Sequence, residues 1–73
     1  MEHREIFARR LRELRTKRRL SRCMASELCG LSPNYMSRCE RGTITPCSAT
    51  LAAIADFYDV SMDYLWGQDE GSI

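Results

Sequence analysis

Phe7, Leu11 and Leu14 recur at i, i+4 and i+7, with Arg18 at i+11. This is the spacing of one stripe on an α-helix covering about residues 4–18, and it leaves Arg9, Arg12 and Lys17 facing water. Ser21 has the chemistry of an N-cap, and Ala25, Leu28 and Cys29 give a second helix a small apolar face that ends at Gly30. Ser32 and Pro33 restart the chain as cap and first helical residue, and Gly42 stops this third helix. After a loop over 42–47, Leu51, Ile54, Ala55 and Tyr58 stand at i, i+3, i+4 and i+7, predicting a fourth helix with those residues in the core. Asp59 is expected to close it in the left-handed conformation, which Asp tolerates better than most residues. Ser61 caps a short fifth helix, MDYLW, with Asp63 near its positive end and Gly67 beyond it. There is no strand-like alternation, no repeat and no linker. The pattern predicts one all-α domain over 1–73, five short helices with a core at about 4–67 and an acidic tail at 68–73.

The second and third helices are joined by a three-residue turn containing a glycine, the arrangement of a helix-turn-helix. On a helix beginning at Pro33, Met36, Cys39 and Glu40 share one face while Asn34, Ser37, Arg38 and Arg41 share the other. The first face suits packing, so Cys39, like Cys29, reads as a small core residue. The second suits base edges: Asn pairs with adenine, Arg with guanine, and Ser with bases or phosphates. A polar helix face is ordinarily just solvated. Its place on the second helix of a helix-turn-helix, inside the basic part of the chain, favours the nucleic-acid reading.

That basic part emerges once the net charge of +1 is divided along the chain. All eleven Lys and Arg lie in residues 1–41, giving that stretch +6 after its five glutamates, whereas 42–73 carries −5. Such a dipolar molecule presents one end to a polyanion. A 73-residue chain buries about 60% of its unfolded surface and has little room for a catalytic cleft. No paired carboxylates, Ser-His-Asp set or phosphate loop is present, so neither an enzyme nor a cofactor is expected. The longest apolar run, residues 51–55, is far too short to span a bilayer, and MEHRE lacks a signal peptide's apolar stretch, so a cytoplasmic protein is expected. Cys23, Cys29, Cys39 and Cys47 lack Cys-x-x-Cys spacing and the one histidine is His3, which argues against a metal site. Cys23 and Cys47 fall near predicted helix N-termini, Cys23 beside Arg22, so a thiol sensor is a competing reading.

The stretches "LRELRTKRRLS", "ELCGLSPNYMSRCERG" and "TLAAIADFYDVSMDYLWG" resemble, in order and spacing, the phage-repressor type of helix-turn-helix domain, the Cro/repressor or Xre family. The resemblance implies a DNA-binding transcriptional regulator, a small repressor that reads double-stranded operator DNA with the helix 33–41. By position it assigns base contacts to Pro33, Asn34, Ser37 and Arg38, and phosphate contacts to Ser21, Arg22, Tyr35, Arg41 and Thr43. It also implies an ion pair between Arg15 and Glu40 and, commonly, a symmetric dimer on an inverted-repeat operator. Arg22 stands where the family often has Gln, Ser26 where it often has Ala, and Arg19 where it often has Gly, so the first helix is expected to end differently. One small core cannot cover every apolar residue of the fifth helix, which leaves Trp66, with Met62 and Phe57, as the expected surface for a second copy. The competing function is a protein-interaction module, such as an antitoxin or anti-repressor, on the same fold.

Overall fold

A computed structural model describes residues 3–67, in which the elements are α1 (His3–Lys17), α2 (Arg22–Leu28), α3 (Tyr35–Arg41), α4 (Ser48–Tyr58) and α5 (Met62–Trp66). The acidic tail expected at 68–73 lies outside the described residues. Two starts are made by serine hydroxyls: Ser21 Oγ accepts the Met24 N–H and Ser61 Oγ the Tyr64 N–H, each at 3.0 Å. Such a cap satisfies an N–H that the helix itself cannot.

Among the described residues, each segment leaving a helix passes through the left-handed region, at Arg19, Gly30, Gly42, Asp59 and Gly67. After α1 the Leu20 N–H reaches back to the Arg15 carbonyl at 3.1 Å and the Arg19 N–H to that of Thr16 at 3.0 Å. This crossed pair reverses the chain in two residues. At Arg19 the reversal uses a side-chain-bearing residue with φ of 57°, which costs about 1–2 kcal/mol relative to a right-handed conformation.

α3 begins two residues later than its composition predicts. The Tyr35 N–H bonds the Ser32 carbonyl at 3.0 Å, so residues 32–35 form a turn, and Asn34, with φ −103° and ψ 13°, takes the N-cap position without a side-chain cap. Ser32 is therefore not the cap, and Pro33 lies in the turn, because this tight bend is closed by backbone rather than by a hydroxyl.

The core gathers Phe7 and Leu11 of α1, Ala25 of α2, Met36 and Cys39 of α3, Ile54, Ala55 and Tyr58 of α4, and Leu65 of α5. Leu28, expected on the apolar face of α2, is 58% exposed. The face that meets α3 is centred on Ala25 and Ser26, and Leu28 lies about 200° around the helix from Ser26. Ser26 is fully buried and satisfies both of its hydrogen-bonding roles: its Oγ accepts the Met36 N–H at 2.9 Å and donates to the Arg22 carbonyl at 2.9 Å. A serine here bonds the start of α3 to α2 while remaining small enough for the crossing.

Two arginines depart from the simple α1 stripe. Arg10 is buried, bonded to the Tyr64 carbonyl, with its guanidinium 4.3 Å from the centre of the Tyr64 ring. Arg18 lies past the end of α1 and is exposed rather than part of the buried stripe. It donates to the Phe57 carbonyl at 2.7 Å and lies over the Phe57 and Tyr58 rings, a clasp between α1 and α4. Where α1 meets α5, Gly67 leaves no room for a side chain, since a Cβ there would stand 2.8 Å from Ile6. Trp66 turns back onto its own domain, tilted against Phe7 at 5.7 Å and stacked on His3 at 5.8 Å. Trp66 is thus half-buried, resting in part on its own domain and in part open to a surface cleft beside Pro46 and Leu51. Phe57 is likewise half-buried, whereas Met62 is 37% exposed.

The principal polar feature of the interior is Glu40. Arg15 Nε donates to its Oε2 at 2.8 Å, with side chains 12% and 6% exposed, and Arg22 Nε donates to Oε1 at 3.1 Å. Arg15 also donates to the Leu20 carbonyl at 2.8 Å. One carboxylate thus ties α1, the start of α2 and α3 together. Removing it strands Arg15 in a site shielded from water. Glu40→Ala is expected to lower the unfolding free energy by about 3–5 kcal/mol, and removal of the half-exposed Arg22 by less than about 1 kcal/mol. Denaturant titration checks both, and equal small losses would contradict the assignment. Arg19→Gly is expected to raise stability by about 0.5–1 kcal/mol by relieving the left-handed residue, while Arg19→Ala gains nothing. Thermal unfolding of the two variants distinguishes them.

Candidate nucleic-acid interface

α3 is held from behind. Met36 and Cys39 are buried in the core, and the Ser26 hydroxyl fixes the Met36 N–H. The face left outside carries Asn34 and Arg38, both exposed, with Ser37 half-buried and Arg41 exposed beside them. Pro33 is exposed in the turn ahead of Asn34. Asn34 and Arg38, one helical turn apart on the rigid side of a packed helix, present an amide and a guanidinium in the same direction. This is the donor and acceptor equipment that base edges require.

The residues expected at phosphates are distributed differently. Ser21 is exposed, but its hydroxyl oxygen already accepts the Met24 N–H. Thr43 Oγ1 donates to the Arg38 carbonyl at 3.1 Å, which ties the hydroxyl to the end of α3. Tyr35 is half-buried, and its phenol is held above its ordinary pKa mainly by burial, against a hydrogen bond with Thr50 that pulls it down. Arg22 is held against Glu40, and together with Arg12, Ser37 and Arg41 the two line a cleft of about 380 Å³. A neighbouring cleft of about 410 Å³ shares Glu40 and Arg41 and is otherwise lined by Arg4, Glu5, Ala8 and Gly42. Arg12 faces water, as its place off the apolar stripe predicts, and also lines the first of these clefts. A signal for it was available in the spacing, because Arg12 precedes Arg15 by three and so stands on the same side of α1.

The four thiols are free. Cys39 is buried, and its thiol is pushed up to about 12, first by burial and then by the charge of Glu40. Burial also raises Cys29. Cys23, expected to be activated at a helix N-terminus, donates to Glu27 at 3.4 Å, and that hydrogen bond to a carboxylate raises its pKa instead. Cys47 alone of the four is lowered, chiefly by its hydrogen bond with the Thr50 hydroxyl and then by backbone N–H groups at the start of α4. Among the described residues no group of three or more His, Cys, Asp or Glu stands ready to hold a metal, and no helix is long and apolar enough to cross a membrane.

The sequence profile of the helix-turn-helix domain family matches residues 6–64. The chain is 38% identical over 66 residues to the HTH-type transcriptional regulator ImmR of Bacillus subtilis, an alignment covering 90% of this chain and 52% of that protein. It thus spans about half the length of that curated relative. Its fold superposes on the restriction-modification controller protein C.AhdI of Aeromonas hydrophila with a TM-score of 0.75 and 32% identity, covering 85% of this chain and 90% of that one. A hypothetical transcription factor from Neisseria superposes with a TM-score of 0.84 over 94% of this chain and 82% of its own, and at 22% identity that likeness speaks to the fold alone.

Proposed function

From the premise that this chain belongs to the helix-turn-helix domain family, we propose that it is a sequence-specific regulator of transcription, a small repressor acting in the cytoplasm, whose α3 enters the major groove of operator DNA. The observation that carries this reading is the exposed pair Asn34 and Arg38 on a helix whose other side is locked into the core. Asn34 and Arg38 read base edges, with Pro33 and Ser37 beside them. Ser21, Arg22, Tyr35, Arg41 and Thr43 meet the backbone. The division of charge, +6 over residues 1–41 and −5 over 42–73, supports the same orientation. It draws the α1 to α3 side towards the phosphates and keeps the other side away. That ImmR is a transcriptional regulator and C.AhdI a controller protein agrees with this role.

The repressor acts as a dimer in this reading, pairing across the α4 and α5 side, where Met62 offers exposed apolar surface next to half-buried Phe57 and Trp66. A two-fold axis there sets two α3 helices about 34 Å apart on an inverted repeat.

Selection of bound genomic fragments, followed by sequencing, is expected to return an inverted repeat with half-sites about 10 bp between centres. On that site Asn34→Ala and Arg38→Ala each lose about 1–3 kcal/mol and relax the preference at one or two base pairs. Equal losses on selected and random duplexes would demote either residue to a backbone contact, and no enrichment at all would favour a protein partner. Dimerisation is checked separately by sedimentation of the wild type and of Met62→Asp, since Trp66 supports Phe7 and its removal would damage the fold. A wild-type monomer both free and on DNA would rule out the pairing.

A further inference from the structure

The cleft of about 380 Å³ between α1, the start of α2 and α3 is lined by three arginines from three different elements, Arg12, Arg22 and Arg41. Their charges are poorly balanced. Glu40 is the carboxylate of this cleft, and its closest partner is the shielded Arg15, at 2.8 Å. The lining therefore carries three arginines against one carboxylate, a balance of +2, and that carboxylate is shared with Arg15 outside the cleft. Among the described residues, the guanidinium groups of Arg12 and Arg41 have no hydrogen-bond or ion-pair partner. Arg22 is bonded to Glu40 through Nε, and neither of its Nη atoms has a partner among the described residues. Glu40 thus fixes the orientation of one arginine while leaving its outer donors open.

Resting on the DNA-binding reading above, the geometry points to a single phosphate site in this cleft: Arg12, Arg22 and Arg41 together take one backbone phosphodiester, which makes α1 part of the DNA interface. Planar guanidinium groups suit phosphate oxygens because each offers two parallel N–H donors. The Ser37 hydroxyl lines the same cleft and belongs to the exposed side of α3, so an anion seated there borders the bases that α3 reads. That adjacency favours a phosphate of the bound strand over a free ion. The site also gives Arg22 a defined role beyond its bond to Glu40, since the carboxylate that orients it does not saturate it.

The test uses the full chain, a labelled random-sequence duplex and a salt series read by fluorescence anisotropy. Arg12→Ala is expected to weaken binding about tenfold at low salt and to reduce the slope of log affinity against log salt by about one. Arg12→Lys should keep most of the slope. Lys17→Ala, an equal loss of charge on α1 outside the cleft, should change both far less. The double variant Arg12→Ala with Arg41→Ala should lose less than the sum of the two, because both address one phosphate. Circular dichroism confirms folding of these surface variants. If Arg12→Ala matches Lys17→Ala while the wild type binds and selects its operator, the phosphate site is wrong and the DNA reading stands. A wild type with no salt-dependent binding to any duplex would overturn both. Inorganic phosphate should compete no better than chloride at matched ionic strength. Competition that does exceed chloride and is lost in Arg12→Ala would make the cleft a free-anion site and overturn the assignment.

Discussion

A carboxylate taken out of water must be met by cations and donors, and Glu40 is met from two other parts of the chain at once. Arg15 reaches it from the last turn of α1 and Arg22 from the first turn of α2. The distances leave little freedom in how the two helices approach α3. The hydrophobic core alone, with one to three residues from each helix, does not fix rotation as tightly, because apolar contacts are non-directional. Charged hydrogen bonds are directional, and here they converge on the helix whose outer face has to be aimed. The same carboxylate orients Arg22 in the basic cleft, so the residue that holds the fold together also shapes that cleft.

Helices of seven residues, such as α2 and α3, are too short to persist in isolation. They exist here because each is closed quickly and pressed at once against a neighbour. Left-handed residues at Arg19, Gly30, Gly42, Asp59 and Gly67 turn the chain sharply as it leaves each helix. Ser26 adds a buried hydroxyl that serves α2 and α3 together. In a chain of this size, where buried surface is limited, such bonds supply specificity that a larger core would provide by packing.

Asn34 and Arg38 were legible as surface residues from spacing alone, because helical periodicity assigns a side once the core residues Met36 and Cys39 are known. The positions of Cys39 and Ile54 in the core follow from the same reasoning. Leu28 was misread because a seven-residue helix has too few apolar positions to define its buried face. The choice fell to Ala25 and Ser26, which fit the close crossing. Arg10 escaped notice since nothing local marks a buried arginine; the carbonyl and ring of Tyr64 that receive it lie 54 residues away.

What the sequence determined by itself is local: the number and order of the helices, the caps at Ser21 and Ser61, the stops, the polar face of α3 and the separation of charge along the chain. Periodicity, capping and backbone conformation act over a few residues, so a linear reading captures them. Tertiary structure decided which surfaces meet. It turned Leu28 out, set Trp66 against Phe7, and gathered Arg12, Arg22 and Arg41 around one cleft. Those outcomes depend on the angles at which short helices cross. Such angles are set by the summed packing and hydrogen bonding of residues far apart in sequence, which no local pattern encodes.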